Sequence, residues 1–280
     1  MIRNILIASL IFTPIFYFSQ NCCQIIKQTL DNISNINTMT FYITSKERFN
    51  KEYVVEKAFY KIRNNPFSIY YKQIIPQTYA EVLINEKLKN EALVNPNSFP
   101  FFSLKMNPYG EKLREKRHHN IYQAGYSYLK FTLLQMKRKY QLSWENVCEL
   151  DGIFKIENKE CYKITLTNPY YKIQDYTLQK KYTIQDLALT LNISDYKILE
   201  LNPNLKSIFQ TLPTGAVIKI PSDYAKKIIL YIEKYLYIII KIEVYDEIGL
   251  FEQYLFDDII LNPVFSNEEF DEKNKSYGFK

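Results

Sequence analysis

Glycine is scarce in this sequence, with 6 among 280 residues. Loops that cradle a nucleotide need glycine where the backbone approaches a phosphate. Neither a G-x-x-x-x-G-K nor a G-x-G-x-x-G run is present. Histidine is scarcer still: there are 2, the adjacent His118 and His119. No G-x-S-x-G or H-E-x-x-H motif occurs, so the common hydrolase and metalloprotease signatures are excluded. The net charge of +6 is spread thinly, with no dense Lys/Arg block interleaved with aromatics, and nucleic acid is not an expected partner. Charged residues make up 24%, the level of an ordinary folded chain and not a disordered one. Past the first twenty residues no apolar run suits a membrane span. The longest, around "YLYIIIKIEVYD", would carry Glu233, Lys234, Lys241 and Glu243 into lipid.

What the chain does have is 25 Tyr and 18 Phe, a texture that favours strands. Residues 1–20 combine Arg3 with an apolar run from Ile5 to Phe18. The run is short for a bilayer, which needs roughly 20 residues, and it fits a secretory leader. Export permits disulfides. Cys22, Ile25, Ile26, Leu30 and Ile33 share one helical stripe, so Cys22 reads as a buried apolar residue, while Cys148 and Cys161 flank a hairpin and are able to pair.

Strand-like segments follow from "MTFYITSKERF" to "EALVNP", punctuated by Pro66, Pro76 and Pro96. Tyr126, Leu129, Leu133, Met136 and Tyr140 recur at three and four, which predicts an amphipathic helix closed by Lys137, Arg138 and Lys139. "EKLREKRHHN" holds the only histidines and reads as a solvated basic loop, not a metal site. Three strands are predicted after Pro221, and the last stretch, from "NPVFSNEEF" onward, reads as a fraying tail.

Between the strands lies a different pattern. "YTLQKKYTIQDLALTLNIS" has a T-x-x-D helix start at Thr183, an apolar stripe of Ile184, Leu187, Ala188 and Leu191, and Asn192 where a left-handed cap is wanted. Ser194 caps a second helix with Ile198, Leu199 and Leu201, and Pro203 cannot continue it. "LPTG" turns the chain into "AVIKIP". The order is strand, helix, helix, strand.

These residues resemble the LysM family of small βααβ modules. Tyr176, Thr177, Leu178, Thr183, Ile184, Leu187, Ala188, Ile193 and Ser194 match its first half, and Leu201, Asn202, Pro203, Gly215, Ile218, Ile220 and Pro221 its second. The resemblance implies binding of N-acetylglucosamine-containing glycans such as peptidoglycan. The implied groove is walled by Lys181, Tyr182 and Thr183 on one side and by Asn202, Pro203, Asn204 and Leu205 on the other. Lys181 and Tyr182 replace the Gly-Asp pair usual in the family. Tyr182 then offers an aromatic face to a sugar ring, and Lys181 a cation to a peptide carboxylate.

The flanking chain resembles the LolA/LolB-like lipoprotein carriers in the order of its elements and its aromatic strands. That implies a curved, half-barrel-like antiparallel sheet covered by helices around an apolar cavity. The expected organisation is α+β: a leader at 1–20, a discontinuous β-rich domain at 21–175 and 222–280, and the inserted βααβ module at 176–221. The expected function is non-enzymatic, without metal or cofactor. It is recognition of peptidoglycan in the periplasm or cell envelope, or alternatively carriage of an acyl chain or lipoprotein with the module in a structural role.

Overall fold

A computed structural model describes residues 21–139, 141, 143–266 and 268–280; the leader expected at 1–20 and Tyr140 lie outside them. Helix α1 (Cys22–Ser34) opens on a capping box, in which Asn21 Oδ1 accepts from Gln24 N at 2.9 Å and Gln24 Oε1 from Asn21 N at 3.3 Å. Six strands follow: β1 (Thr38–Phe49), β2 (Glu52–Asn64), β3 (Phe67–Ile75), β4 (Glu81–Ile84), β5 (Ala92–Asn95) and β6 (Leu104–Met106). A short turn of helix, α2 (Glu111–Arg114), leads to α3 (Tyr126–Lys139) and α4 (Trp144–Val147). Then come β7 (Cys148–Ile156), β8 (Lys159–Thr167) and β9 (Ile173–Thr177). The segment β10 (Tyr182–Thr183), α5 (Ile184–Leu191), α6 (Asp195–Leu201), β11 (Thr211–Leu212) and β12 (Val217–Pro221) precedes the closing strands β13 (Lys227–Glu233), β14 (Ile239–Tyr245) and β15 (Leu250–Leu261).

Eleven strands form one antiparallel sheet in the order β6-β5-β4-β3-β2-β1-β15-β14-β13-β8-β7. The sheet is curved. Register shifts between Thr40 and Tyr42, Lys57 and Ala58, and Leu150 and Gly152 are the kind of irregularity that bends strands. Its inner face carries Phe41, Ile62, Ile69, Val82, Ile164 and Ile242 against Ile25 and Ile26 of α1, Leu133 of α3 and Trp144 of α4. The fold class is α+β.

Two expectations are corrected here. The disulfide joins Cys22 to Cys148, tying the start of α1 to the start of β7; Cys161 is free and buried. Cys22 and Cys148 are brought together because α1 and α4 cover the same end of the sheet, a proximity that strand spacing does not reveal. The tail, expected to fray, is docked on the outer face of β3–β5. Tyr277 stacks on Tyr70 at 3.9 Å, Phe270 is buried beside Leu83 and Leu93, and Gly278 N–H donates to Glu81 at 2.6 Å. A Cβ at Gly278 would sit 2.5 Å from Asn95 Nδ2 and 2.8 Å from Glu81 Oε2, so any other residue there requires these two side chains to shift.

β9 and β12 pair antiparallel from Thr177↔Val217 to Ile173↔Pro221, three residues earlier than the tyrosine at which the pattern starts. Between them α5 and α6 enclose a separate apolar cluster of Leu178, Ile184, Leu187, Ile198 and Ile218. The capping chemistry read from the sequence is in place. Thr183 Oγ1 accepts from Asp186 N at 3.1 Å, Asn192 takes a left-handed φ of 53°, and Ser194 caps α6.

Candidate functional site: a cavity beneath the third helix

Strand parity builds this site. On β1, Phe41, Ile43, Ser45 and Glu47 fall on one face, as do Glu56, Ala58 and Tyr60 on β2, and Glu252, Tyr254 and Phe256 on β15. The face is apolar over most of its length and turns polar at one end. α3 and the segment before it cross this face and leave a cavity of about 130 Å³. Phe41, Ile43, Val82, Leu129, Ile242 and Phe256 line its apolar part. Glu47, Glu56, Arg117, His119, Tyr224 and Glu252 line its polar end.

The acids at that end are held by donors. Arg117 grips Glu56 Oε2 at 2.6 Å from Nη2 and 3.1 Å from Nε, and Tyr71 donates to Glu56 at 3.0 Å. Glu47 accepts from the His118 amide at 2.8 Å and from the Tyr254 hydroxyl at 2.7 Å. Glu252 is fully buried; it faces His118 Nδ1 at 2.7 Å, accepts from Tyr224 at 2.6 Å, and lies 3.3 Å from His119 Nε2. The other His118 nitrogen, Nε2, meets the Arg48 carbonyl at 2.8 Å. Both ring nitrogens of His118 therefore face acceptors, and only the doubly protonated ring donates from both.

The electrostatics agree with that geometry. Burial opposes a charge on His118, but the bond to Glu252 and the Glu47 charge outweigh it and raise its pKa. Burial likewise opposes ionisation of Glu252, yet the two histidines hold its carboxyl well below the usual carboxylate range. Burial and then the Glu252 charge push the Tyr224 hydroxyl well above its usual value. His119 Nδ1 is buried and has no hydrogen-bond partner among the described residues, which leaves one unused hydrogen-bonding position beside the cavity. Among the described residues no group of three or more His, Cys, Asp or Glu is arranged to hold a metal ion.

The basic segment expected to lie in solvent does so only in part: Glu111, Lys112, Glu115 and Lys116 are exposed, but His118 is 4% exposed, Asn120 3% and Arg114 1%. Adjacent histidines diverge, as expected, but each reaches a different oxygen of Glu252. Composition alone hid this, because a charge-rich decapeptide resembles a surface loop until the inward-facing acids of β1, β2 and β15 are seen. Strand parity in "TFYITSKE" and "EQYLF" already places Glu47 and Glu252 on the aromatic face, and that was the available signal.

The βααβ segment is fastened to the sheet domain by a buried ionic seam. Arg114 Nη2 meets Asp195 of α6 at 2.8 Å, and its Nη1 donates to Gln185 of α5 at 2.7 Å. Arg48 bridges Glu200 at 3.0 Å and also pairs with Asp246. Lys197 reaches Asp246 and Glu247, both at 2.7 Å. The Tyr196 ring stacks on His118 at 5.3 Å, so the seam adjoins the polar end of the cavity.

The residues nominated for a glycan groove divide. Lys181, Pro203 and Asn204 are exposed. Tyr182 is half-buried, pairs with Leu212 and has the Lys180 ammonium 4.8 Å over its ring. Thr183 is the helix cap. Asn202 is buried, with its side chain occupied by Ile198 O and by both Lys219 O and N at 2.7–2.9 Å; Leu205 belongs to the apolar cluster.

The chain belongs to the family described as "Protein of unknown function (DUF1571)", which matches residues 36–204, from just before β1 to just beyond α6. No match was found among curated proteins. Among solved structures the chain is similar to LprF from Mycobacterium bovis, at 10% identity and a TM-score of 0.42, over 89% of this chain and 97% of that one. It is also similar to the lipoprotein LppX of Mycobacterium tuberculosis, at 12% identity and a TM-score of 0.40, over 87% and 97%. A LolA superfamily protein from Nitrosomonas europaea is similar at 9% identity and a TM-score of 0.30, over 90% and 98%.

Proposed function

We propose that this member of the DUF1571 family is an exported, non-enzymatic envelope protein that carries a single acyl chain, free or on a lipoprotein, in the cavity beneath α3. The observation that carries the reading is the cavity's division into an apolar body and a polar end. An amphiphile needs that division: its chain displaces little more than apolar contact, while a few placed polar groups orient its head. The free Nδ1 of His119 supplies one such group. The inserted segment then acts as a LysM-like structural unit closing the flank of the sheet domain. The test is titration of lipid-stripped protein with a fluorescent long-chain fatty-acid analogue. Saturable binding is expected, and Ala124→Phe, which fills the cavity wall, weakens it about tenfold. Absence of saturable binding by the unaltered protein sinks the reading.

A second reading keeps the module as a peptidoglycan-binding unit. It is supported by the placement of the first nominated wall beside the loop that follows the second, where Tyr182 pairs with Leu212 and Gln185 N donates to Ile208 O at 2.9 Å, and by the exposure of Lys181 and Asn204. Titration with N-acetylglucosamine oligomers, on the unaltered protein and on Tyr182→Ala, tests it. A signal that Tyr182→Ala leaves unchanged, or no signal at all, removes the module from glycan recognition.

A further inference from the structure

The turn between β5 and β6 reads "NSFPFFS", and its phenylalanines point away from the protein. Phe99 is 83% exposed, Phe101 70% and Phe102 53%. Scattered exposed apolar residues are normal on a soluble surface, but three large ones within four positions are not. The next loop of the same sheet, between β3 and β4, adds Tyr79 at 41% exposure. The two loops are tied together, since Asn97 Nδ2 donates to Thr78 O at 2.9 Å.

The charge around the turn is equally uneven. From Ala92 to Gly110 the only charged side chain is Lys105. The most exposed side chains of the turn, Phe99, Phe101 and Phe102, have no hydrogen-bonding groups. A protein partner would need a pocket for each ring. A bilayer interface needs none, because it yields to a protruding aromatic tip and favours aromatic rings at the headgroup level. The charges that border the turn stand at its base: Lys105 with Glu91 at 3.9 Å, and Lys280, whose backbone bonds to Ser103 at 2.9 and 3.1 Å; the headgroup layer accommodates both cations.

The tip is also joined to the polar end of the cavity. Thr78 Oγ1 donates to Gln73 Oε1 at 2.6 Å, Gln73 Nε2 donates to Glu56 at 3.3 Å, and Glu56 is the Arg117 partner on the cavity wall. A hydrogen-bonded path of four side chains thus runs from the aromatic turn to the cavity.

We propose that Phe99, Phe101 and Phe102 form a lipid-docking foot that enters the interfacial layer of a membrane and sets the polar end of the cavity beside it. This stands apart from what the cavity holds: the foot binds lipid surface whether or not an acyl chain enters the protein. The test uses the full chain carrying Phe101→Trp, read by tryptophan emission on addition of phosphatidylcholine vesicles, with the unaltered protein and its buried Trp144 as the baseline. Because the probe sits in the turn, contacts made elsewhere by the chain do not contribute. A blue shift is expected, together with quenching by brominated lipid. Adding Phe99→Ser and Phe102→Ser raises the lipid concentration at half-effect at least tenfold, and 0.5 M salt changes it less than twofold, since the binding is apolar. No shift from the introduced indole overturns the proposal. So does a shift at the same lipid concentration with both serines present, and so does loss of the shift in salt.

Discussion

Helix α6 has two buried sides, and they are buried in opposite ways. On one side Ile198, fully buried, packs into the apolar cluster of the βααβ segment. On the other, Asp195 and Lys197 are nearly as dry, at 5% and 2% exposure, yet they sit among Arg114, Glu200, Asp246 and Glu247. The apolar side makes the segment fold as a unit; it would accept many partners of similar shape. The ionic side makes the segment sit in one place, because each charge is tolerable only opposite its partner. Shape comes from one side and position from the other.

The strongest way to break this contrast is at the seam. Arg114→Ala leaves Asp195 buried without its cation and is expected to cost about 3–5 kcal/mol, read by denaturant unfolding. Hydrogen exchange should rise first at α6 and around His118, because Tyr196 stacks on that ring. If exchange instead rises evenly over the inner sheet, the seam does not position the segment.

A second test works through pH. His118 is ordinarily near 6.5 and is raised here, so its stabilising charge is complete below that value and is lost as pH climbs through the raised one. Glu252 is ordinarily near 4.5 and is held lower, so its contribution is complete above 4.5 and fades as pH falls through the depressed value. The cluster is therefore most stabilising between the two ordinary values. Raising the pH from 6 to 9 should lower the thermal midpoint by about 2–5 °C, and His118→Gln should remove that slope while lowering the whole curve. A slope that survives in His118→Gln belongs to other groups.

The smallest effect lies on the apolar side. Thr183→Ala removes the α5 cap and should cost about 1 kcal/mol, without moving the exchange of Arg114-contacting residues. An effect of that size confined to α5 would sharpen the division between shape and position.

The same division governs what was legible in the sequence. Capping and periodicity are local, so Thr183, Asn192 and Ser194 announced α5 and α6 from a dozen neighbouring residues. The meander and the last three strands were legible from alternation. The partners of Arg48, Arg114 and His118 lie about 70–200 positions away along the chain. No local pattern encodes such a meeting. The Cys22–Cys148 bridge and the docking of Tyr277 on Tyr70 were hidden for the same reason.

One pairing has a consequence for how the chain is made. β1 has β15 as its neighbour, with Met39 opposite Leu261, so the middle of the sheet joins the first and the last strand of the described residues. The centre of the sheet cannot close until β15, made long after β1, is available. The inserted segment, whose ends meet across only the β9–β12 pair, is free to form earlier. The large sheet must wait with two unpaired strand edges open, at risk of wrong pairing until the final strand arrives. Folding order is thereby written into the topology: the small unit first, the cavity only at the end.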